Sequence, residues 1–83
     1  VQNAGQAFFV DGVQAFKRKD FRKAIRAFEK AEGEDAWLYM GKSYFYLSDY
    51  RKALQYFAKA SYKDPTKAKL WIQITLNRIG ENP

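Results

Sequence analysis

Few residues in this sequence are of types that carry out chemistry. The 83-residue chain contains no histidine and no cysteine, which excludes imidazole acid–base catalysis, cysteine nucleophiles, and metal sites built on thiolate or imidazole. Its serines, Ser43, Ser48 and Ser61, have no imidazole to activate them. The glycines are single and scattered, so there is no glycine-rich phosphate loop. We therefore predict that the chain is not an enzyme and uses no cofactor and no metal.

Two charged clusters could still form sites. The acidic one consists of Glu29, Glu32, Glu34 and Asp35. Its spacing is not that of a calcium loop, and carboxylates favour the first turn of a helix, so we interpret Glu34 and Asp35 as the start of a helix. The basic cluster consists of Lys17, Arg18, Lys19, Arg22, Lys23, Arg26 and Lys30.

The basic cluster could bind nucleic acid or anionic lipid through counterion release. However, Arg22 and Arg26 lie on a helix face opposite Phe21 and Ile25, a pattern typical of a solvated outer face. The sequence contains no recognisable nucleic-acid module with aromatic residues stacked on a sheet. We predict no nucleic-acid binding and retain an anionic-surface binder as the least favoured alternative.

The composition predicts a folded domain. Hydrophobic residues make up 47% of the chain and aromatic residues 18%, enough to bury a core. The net charge of +6 favours solubility and attraction to acidic partners. The longest apolar run, at 7–10, is far shorter than the about 20 residues of a membrane helix. Because the chain begins with Val1, a leader or anchor could precede it; we slightly favour the cytoplasm, with a periplasmic or membrane-tethered location as alternatives.

An internal repeat is the strongest feature of the sequence. The segment Asp20–Ile25 (DFRKAI) recurs 29 residues later as Asp49–Leu54 (DYRKAL). The same offset aligns Gly12 with Gly41, Phe28 with Phe57, and Ala31 with Ala60. Repetition of this kind is typical of stacked supersecondary units.

Each repeat has the pattern of two helices, because its apolar residues recur at spacings of three and four. Polar breaks at 17–20 and 48–49 separate the helices, with Asp20 as a capping residue. Asp64 and Pro65 end one helix and start another, and a fifth helix is predicted from about Thr66 to Ile79, with Gly80 as its stop. The sequence therefore predicts an all-α fold of about five antiparallel helices.

Glycines in mid-helix indicate where the helices approach most closely. Gly12 and Gly41 each cost about 1 kcal/mol relative to alanine. That cost is tolerable if the paired helix must approach closely, and we expect large rings to fill the space beside these small residues: Phe28, Tyr44, Tyr50 and Phe57.

The second repeat resembles the tetratricopeptide repeat. Its matching positions are Trp37, Met40, Gly41, Tyr44, Ala53, Phe57, Ala60 and Pro65, with methionine in place of the usual leucine. The first repeat carries Phe8, Gly12, Ala24, Phe28 and Ala31, and departs from the pattern at Asp11 and Ala15. The resemblance implies a right-handed α-α superhelix in a single domain, 1–83. Within it, repeat one spans about 5–33, repeat two about 34–67, and a terminal capping helix about 66–80.

The first repeat is five residues short of the second, since Ala31 precedes Trp37 by six positions whereas Ala60 precedes Trp71 by eleven. We interpret this as a truncated second helix followed by a tight turn at 32–34. The third repeat offers only its first helix, with Thr75 where glycine is usual.

The resemblance implies a concave groove lined by the first helix of each repeat. We predict that its partner-binding residues are Phe9, Val13, Phe16, Leu38, Tyr39, Lys42, Phe45, Tyr46, Lys69, Ile72 and Leu76. This surface is mostly apolar and aromatic, and Lys42 and Lys69 could orient an acidic residue. Of the positions at which the family's chaperone-binding groove holds a terminal carboxylate, only Lys69 matches, so a carboxylate clamp is not expected.

These residues predict a protein-interaction module or scaffold that holds a partner peptide or helix in its groove. Two alternatives remain open: a structural segment of a larger helical scaffold, and a self-associating homo-oligomer. The second arises because an exposed apolar patch is unusual on a lone monomer.

Overall fold

The computed structural model describes residues 4–31 and 34–81, and every regular element in these ranges is an α-helix. The helices are α1 (Ala4–Lys17), α2 (Phe21–Ala31), α3 (Glu34–Tyr46), α4 (Tyr50–Ala60) and α5 (Pro65–Glu81). The pairs α1/α2 and α3/α4 form the most extensive contacts, and α5 packs on α4. This architecture confirms the predicted all-α fold of two helix pairs and a terminal helix. No helix in the described ranges is long and apolar enough to cross a bilayer.

The repeated sequence produces a repeated turn within each pair. Lys19 and Ser48 both adopt the left-handed conformation, with φ of 65° and 64°. In the first turn, the Lys19 N–H donates to the Phe16 carbonyl and the Asp20 N–H to the Ala15 carbonyl, both at 2.9 Å. This is the Schellman arrangement, which satisfies the last carbonyls of a helix. The same pair of hydrogen bonds recurs at residues 48 and 49, so both helix pairs reverse direction in the same way.

The aspartate after each break caps the helix that follows, as predicted for Asp20. The carboxylate of Asp49 accepts a hydrogen bond from the backbone N–H of Lys52 at 3.3 Å. Asp20 and Asp64 accept the equivalent bonds, at 3.3 and 3.1 Å. Each cap satisfies one of the N–H groups that lack a partner within the helix.

Replacing Ser48 with glycine is expected to stabilise the fold by about 0.5 kcal/mol. Glycine removes the strain of a side chain at positive φ, and part of that gain is offset by the larger entropy of the unfolded chain. Ser61 is the matched control, because its φ of −63° is right-handed and glycine there should destabilise. Urea unfolding followed by circular dichroism measures both; equal shifts for the two variants would contradict the prediction.

Rings packed against glycine hold the two helices of each pair together, as predicted. A Cβ atom added at Gly12 would lie 2.5 Å from Cε1 of Phe28, and one added at Gly41 would lie 2.5 Å from Cδ1 of Phe57. Both rings are fully buried. Only glycine therefore allows the backbone to approach this closely.

The first helices form the inner layer of the stack. α1 contacts α3, and α3 contacts α5, whereas α2 and α4, both described in full, do not contact each other. The second helices therefore lie farther apart from one another than the first helices do. This curvature places α1, α3 and α5 on the concave side.

The interpretation of a truncated second helix in repeat one is wrong. α2 and α4 both contain 11 residues. The shorter spacing arises instead from a brief connection before α3 and from an earlier tryptophan, because Trp37 lies one turn into α3 while Trp71 lies nearly two turns into α5. Of the turn predicted at 32–34, residues 32 and 33 lie outside the described residues, and Glu34 begins α3.

The last helix is slightly longer than predicted. It begins at Pro65, one residue early, and continues through Gly80 to Glu81. Among the described residues, a Cβ atom added at Gly80 would meet no packing neighbour within 4 Å. An exposed glycine weakens a helix by only about 1 kcal/mol, which is not enough to end it here.

Candidate functional site

A continuous line of aromatic rings joins the three first helices. Phe9 and Phe16 of α1 both contact the Tyr39 ring of α3, with centroids 5.7 and 5.5 Å apart. Phe16 also contacts Tyr46, at 6.0 Å, and Tyr46 contacts Trp71 of α5, at 6.3 Å. All four contacts are edge-to-face, a favourable geometry for aromatic pairs. We call these five residues the ring line.

Residues of α2 hold the ring line in position. Phe28 stacks on Tyr39, with centroids 5.3 Å apart and planes inclined at 23°. Phe21 stacks on Tyr46 at 5.0 Å and 20°. Each tyrosine is therefore fixed by a ring behind it, so little side-chain entropy remains to be lost when a partner binds.

Lys42 lies between two of these rings. Its Nζ atom is 5.2 Å from the centroid of Tyr39 and 5.3 Å from that of Trp71. The side chain is half-buried, and it forms no ion pair with a carboxylate in the described part of the chain. Burial lowers the pKa of the Lys42 ammonium, and the charge of Lys67 lowers the pKa further. Lys42 is thus a partly desolvated cation held by cation–π contacts.

Two cavities open beside the ring line. One has a volume of about 320 Å³ and is lined by Phe9, Leu38, Tyr39, Ala60, Lys63, Asp64 and Lys67. The other has a volume of about 520 Å³ and is lined by Phe16, Lys17, Lys19, Phe21 and Tyr46. Both cavities are lined by aromatic residues and by lysines.

The structure brings five of the predicted site residues into contact with one another. These are Phe9, Phe16, Tyr39, Lys42 and Tyr46. Leu38 lines the same cavity as Phe9. Val13 and Ile72 are half-buried and pack against the core. Leu76, at 47% exposure, and Lys69 are exposed side chains of α5.

Phe45 differs from the rest of the predicted set. Only 7% of its surface is exposed, and it packs in the core with Ala53 and Phe57. The guanidinium of Arg78 lies over its ring, 5.7 Å from the centroid. Phe45 therefore supports Tyr46, 5.4 Å away, and is not itself a surface that a partner could contact.

Sequence reasoning missed two contributors to this surface. The repeat pattern gives Trp71 a structural position in the third repeat, and helical spacing puts Phe21 in the apolar stripe of the second helix. Both are half-buried and contact Tyr46. Their aromatic type was the available signal, but helical periodicity alone does not distinguish a ring at the edge of the core from one inside it.

Most of the basic cluster lies away from the ring line, but Lys17 and Lys19 line the cavity beside Phe16 and Tyr46. All seven of its residues are exposed. Arg18, Lys23, Arg26 and Lys30 line a cavity of about 430 Å³ between α1 and α2. Binding of an anionic surface there stays the least favoured of the alternatives.

Comparison with known proteins gives a family match over part of the chain. The family model of the tetratricopeptide repeat matches residues 34–67, which cover α3, α4 and the start of α5. Neither the curated proteins nor the solved structures include a significant match to the chain. Tetratricopeptide repeats generally mediate protein–protein interaction and are not catalytic. The match confirms the resemblance seen in the sequence: the chain carries a tetratricopeptide repeat over residues 34–67.

Proposed function

We propose that the chain is a protein-interaction module that binds an apolar segment of a partner along the ring line. The observation that supports this most directly is the unbroken edge-to-face contact from Phe9 to Trp71, in which Tyr46 is 50% exposed. Large rings that are already fixed in position are the usual energetic anchors of an interface.

The shape of the surface favours a short helix or extended peptide as the ligand. The two cavities beside the ring line could each accept an apolar side chain. Helix-in-groove recognition places such anchors about one or two helical turns apart. The proposal therefore requires a peptide with at least two apolar anchors.

Replacing Tyr46 and Leu76 together with alanine is expected to weaken peptide binding by about tenfold or more, because truncation of an aromatic anchor typically costs over 1 kcal/mol of binding free energy. Binding is measured by calorimetry with peptides selected from a displayed random 12-residue library. The matched control is Tyr62→Ala with Leu70→Ala, which removes the same residue types from exposed positions. Phe45 is unsuitable as a probe because it is buried.

Two results would contradict this proposal. The first is equal peptide affinity for the Tyr46/Leu76 variant and the control. The second is a concentration-dependent dimer, detected by light scattering, that the Tyr46/Leu76 variant abolishes while no peptide is selected. The second result would favour the self-associating alternative.

A further inference from the structure

Lys42 differs from the other lysines that contact rings in the described part of the chain. Lys30, Lys52 and Lys59 each lie over one ring, and each is exposed. Lys42 is half-buried between two rings that belong to different helices. An exposed lysine retains its water, whereas the ammonium of Lys42 has lost part of its hydration.

The described lining of the cavity beside Tyr39 has one carboxylate, Asp64, and this carboxylate already has partners. Asp64 accepts a hydrogen bond from the backbone N–H of Lys67 at 3.1 Å, and its second oxygen lies 3.9 Å from Nζ of the same lysine. Asp64 thus caps α5 and pairs with Lys67. The remaining charged group of that cavity lining is Lys63, so the described charges around Lys42 are mainly positive.

We propose that Lys42 recognises an acidic side chain, aspartate or glutamate, within the apolar segment that binds along the ring line. The proposal rests on the function proposed above and adds the chemistry of the partner: an apolar peptide with an internal carboxylate between its anchors. Charge complementarity selects this occupant, because a half-buried cation that has no ion pair among the described residues lies at the middle of an aromatic surface.

The geometry prepares Lys42 for such a contact. The faces of Tyr39 and Trp71 hold the ammonium in place, so little rotamer entropy is lost on binding. A carboxylate that reaches the ammonium forms a charge-assisted hydrogen bond in surroundings that are less polar than water, where such a bond is stronger. It also replaces the hydration that burial removed.

Selection from the displayed 12-residue library tests the proposal without a known partner. The library is selected in parallel on the unmodified protein, on Lys42→Gln and on Lys59→Gln. The last is a matched control, because it removes an equal charge and a cation–π contact, with Tyr56, from α4. We expect acidic residues between apolar anchors to be enriched by the unmodified protein and by Lys59→Gln, but not by Lys42→Gln.

Synthetic peptides with amidated C-termini then measure the contact directly. Changing the selected acidic residue to its amide is expected to weaken binding to the unmodified protein about tenfold and to leave binding to Lys42→Gln unchanged within about twofold. This coupling is specific to contact between the two groups. A purely structural role of Lys42 would weaken binding of both peptides alike.

The outcomes separate this proposal from the one on which it rests. Enrichment of apolar anchors without acidic residues, or an acidic preference that persists in Lys42→Gln, overturns the assignment to Lys42 and leaves the interaction module intact. Binding that requires a free C-terminal carboxylate also overturns it, since the proposal assigns a side chain. Failure to enrich any peptide overturns the proposed function itself.

Discussion

Replacing Gly41 with alanine is expected to lower the free energy of unfolding by about 2 kcal/mol. The new Cβ would lie 2.5 Å from the Phe57 ring, which is fully buried and stacked on Trp71 with centroids 5.7 Å apart. Because the ring cannot move aside, overpacking should cost about 3 kcal/mol, of which the better helix propensity of alanine returns about 1. Thermal unfolding followed by circular dichroism should show a midpoint lower by about 10 °C.

Gly80→Ala is the matched control for this prediction. Gly80 also lies within an α-helix, but no packing neighbour from the described residues lies within 4 Å of the added carbon. Alanine there should therefore leave stability unchanged or raise it by up to about 1 kcal/mol. A second control is Gly41→Ala combined with Phe57→Leu, in which the smaller side chain should relieve part of the clash. Equal destabilisation by Gly41→Ala and Gly80→Ala would show that propensity, and not packing, determines the effect.

Replacing Phe28 with alanine is expected to lower the free energy of unfolding by about 4 kcal/mol, the largest effect of any substitution considered. The ring is 1% exposed and contacts Gly12, Phe9 and Tyr39. Its removal leaves a cavity that the helices can fill only in part. Urea unfolding measures the change. If the free energy of unfolding falls with urea concentration at an unaltered slope, the native state remains compact.

Phe8→Ala is the control for the loss of a ring from the first repeat. Phe8 is half-buried, with Lys30 over its ring. Its replacement should therefore lower the free energy of unfolding by roughly half as much as that of Phe28. Phe28→Leu provides a milder change if the alanine variant does not fold. A cost for Phe8→Ala equal to that for Phe28→Ala would contradict the central position assigned to Phe28.

These two predictions connect the core to the candidate site. Phe28 fills the space left by Gly12 on one side and supports Tyr39 on the other. The close packing of α1 against α2 therefore determines where a ring of the groove lies. We expect Phe28→Leu to alter peptide affinity as well as stability, since Tyr39 would lose the ring behind it.

Much of the fold could be predicted from residue types and spacing. The repeated DFRKAI and DYRKAL segments predict two equivalent helix pairs, and the structure contains them with the same turns and caps. Small–large pairing also predicts a close approach of the helices at Gly12 and Gly41 with large rings beside them. Of the four rings expected there, Phe28 lies against Gly12 and Phe57 against Gly41. These features are local or depend on one neighbouring helix, so helical periodicity is sufficient to predict them.

The site could be predicted only in outline. Phe45 and Tyr46 are adjacent aromatic residues that the sequence did not distinguish, yet one is 7% exposed and the other 50%. The difference arises because α4 and α5 cover Phe45 with Tyr50 and Trp71. Which of two neighbouring rings is covered therefore depends on how α4 and α5 pack against α3, and not on the spacing within α3.

The sequence alone determined that the chain forms stacked helix pairs, because three- and four-residue spacing and small–large pairing act within a helix or between two consecutive ones. Only the tertiary structure decided which side chains remain for a partner, and it placed Lys42 between Tyr39 and Trp71. Trp71 reaches Lys42 from α5, two helices further along the chain. Burial and desolvation depend on all the elements that surround a side chain, and their effect on Lys42 arises only when α3 and α5 pack together.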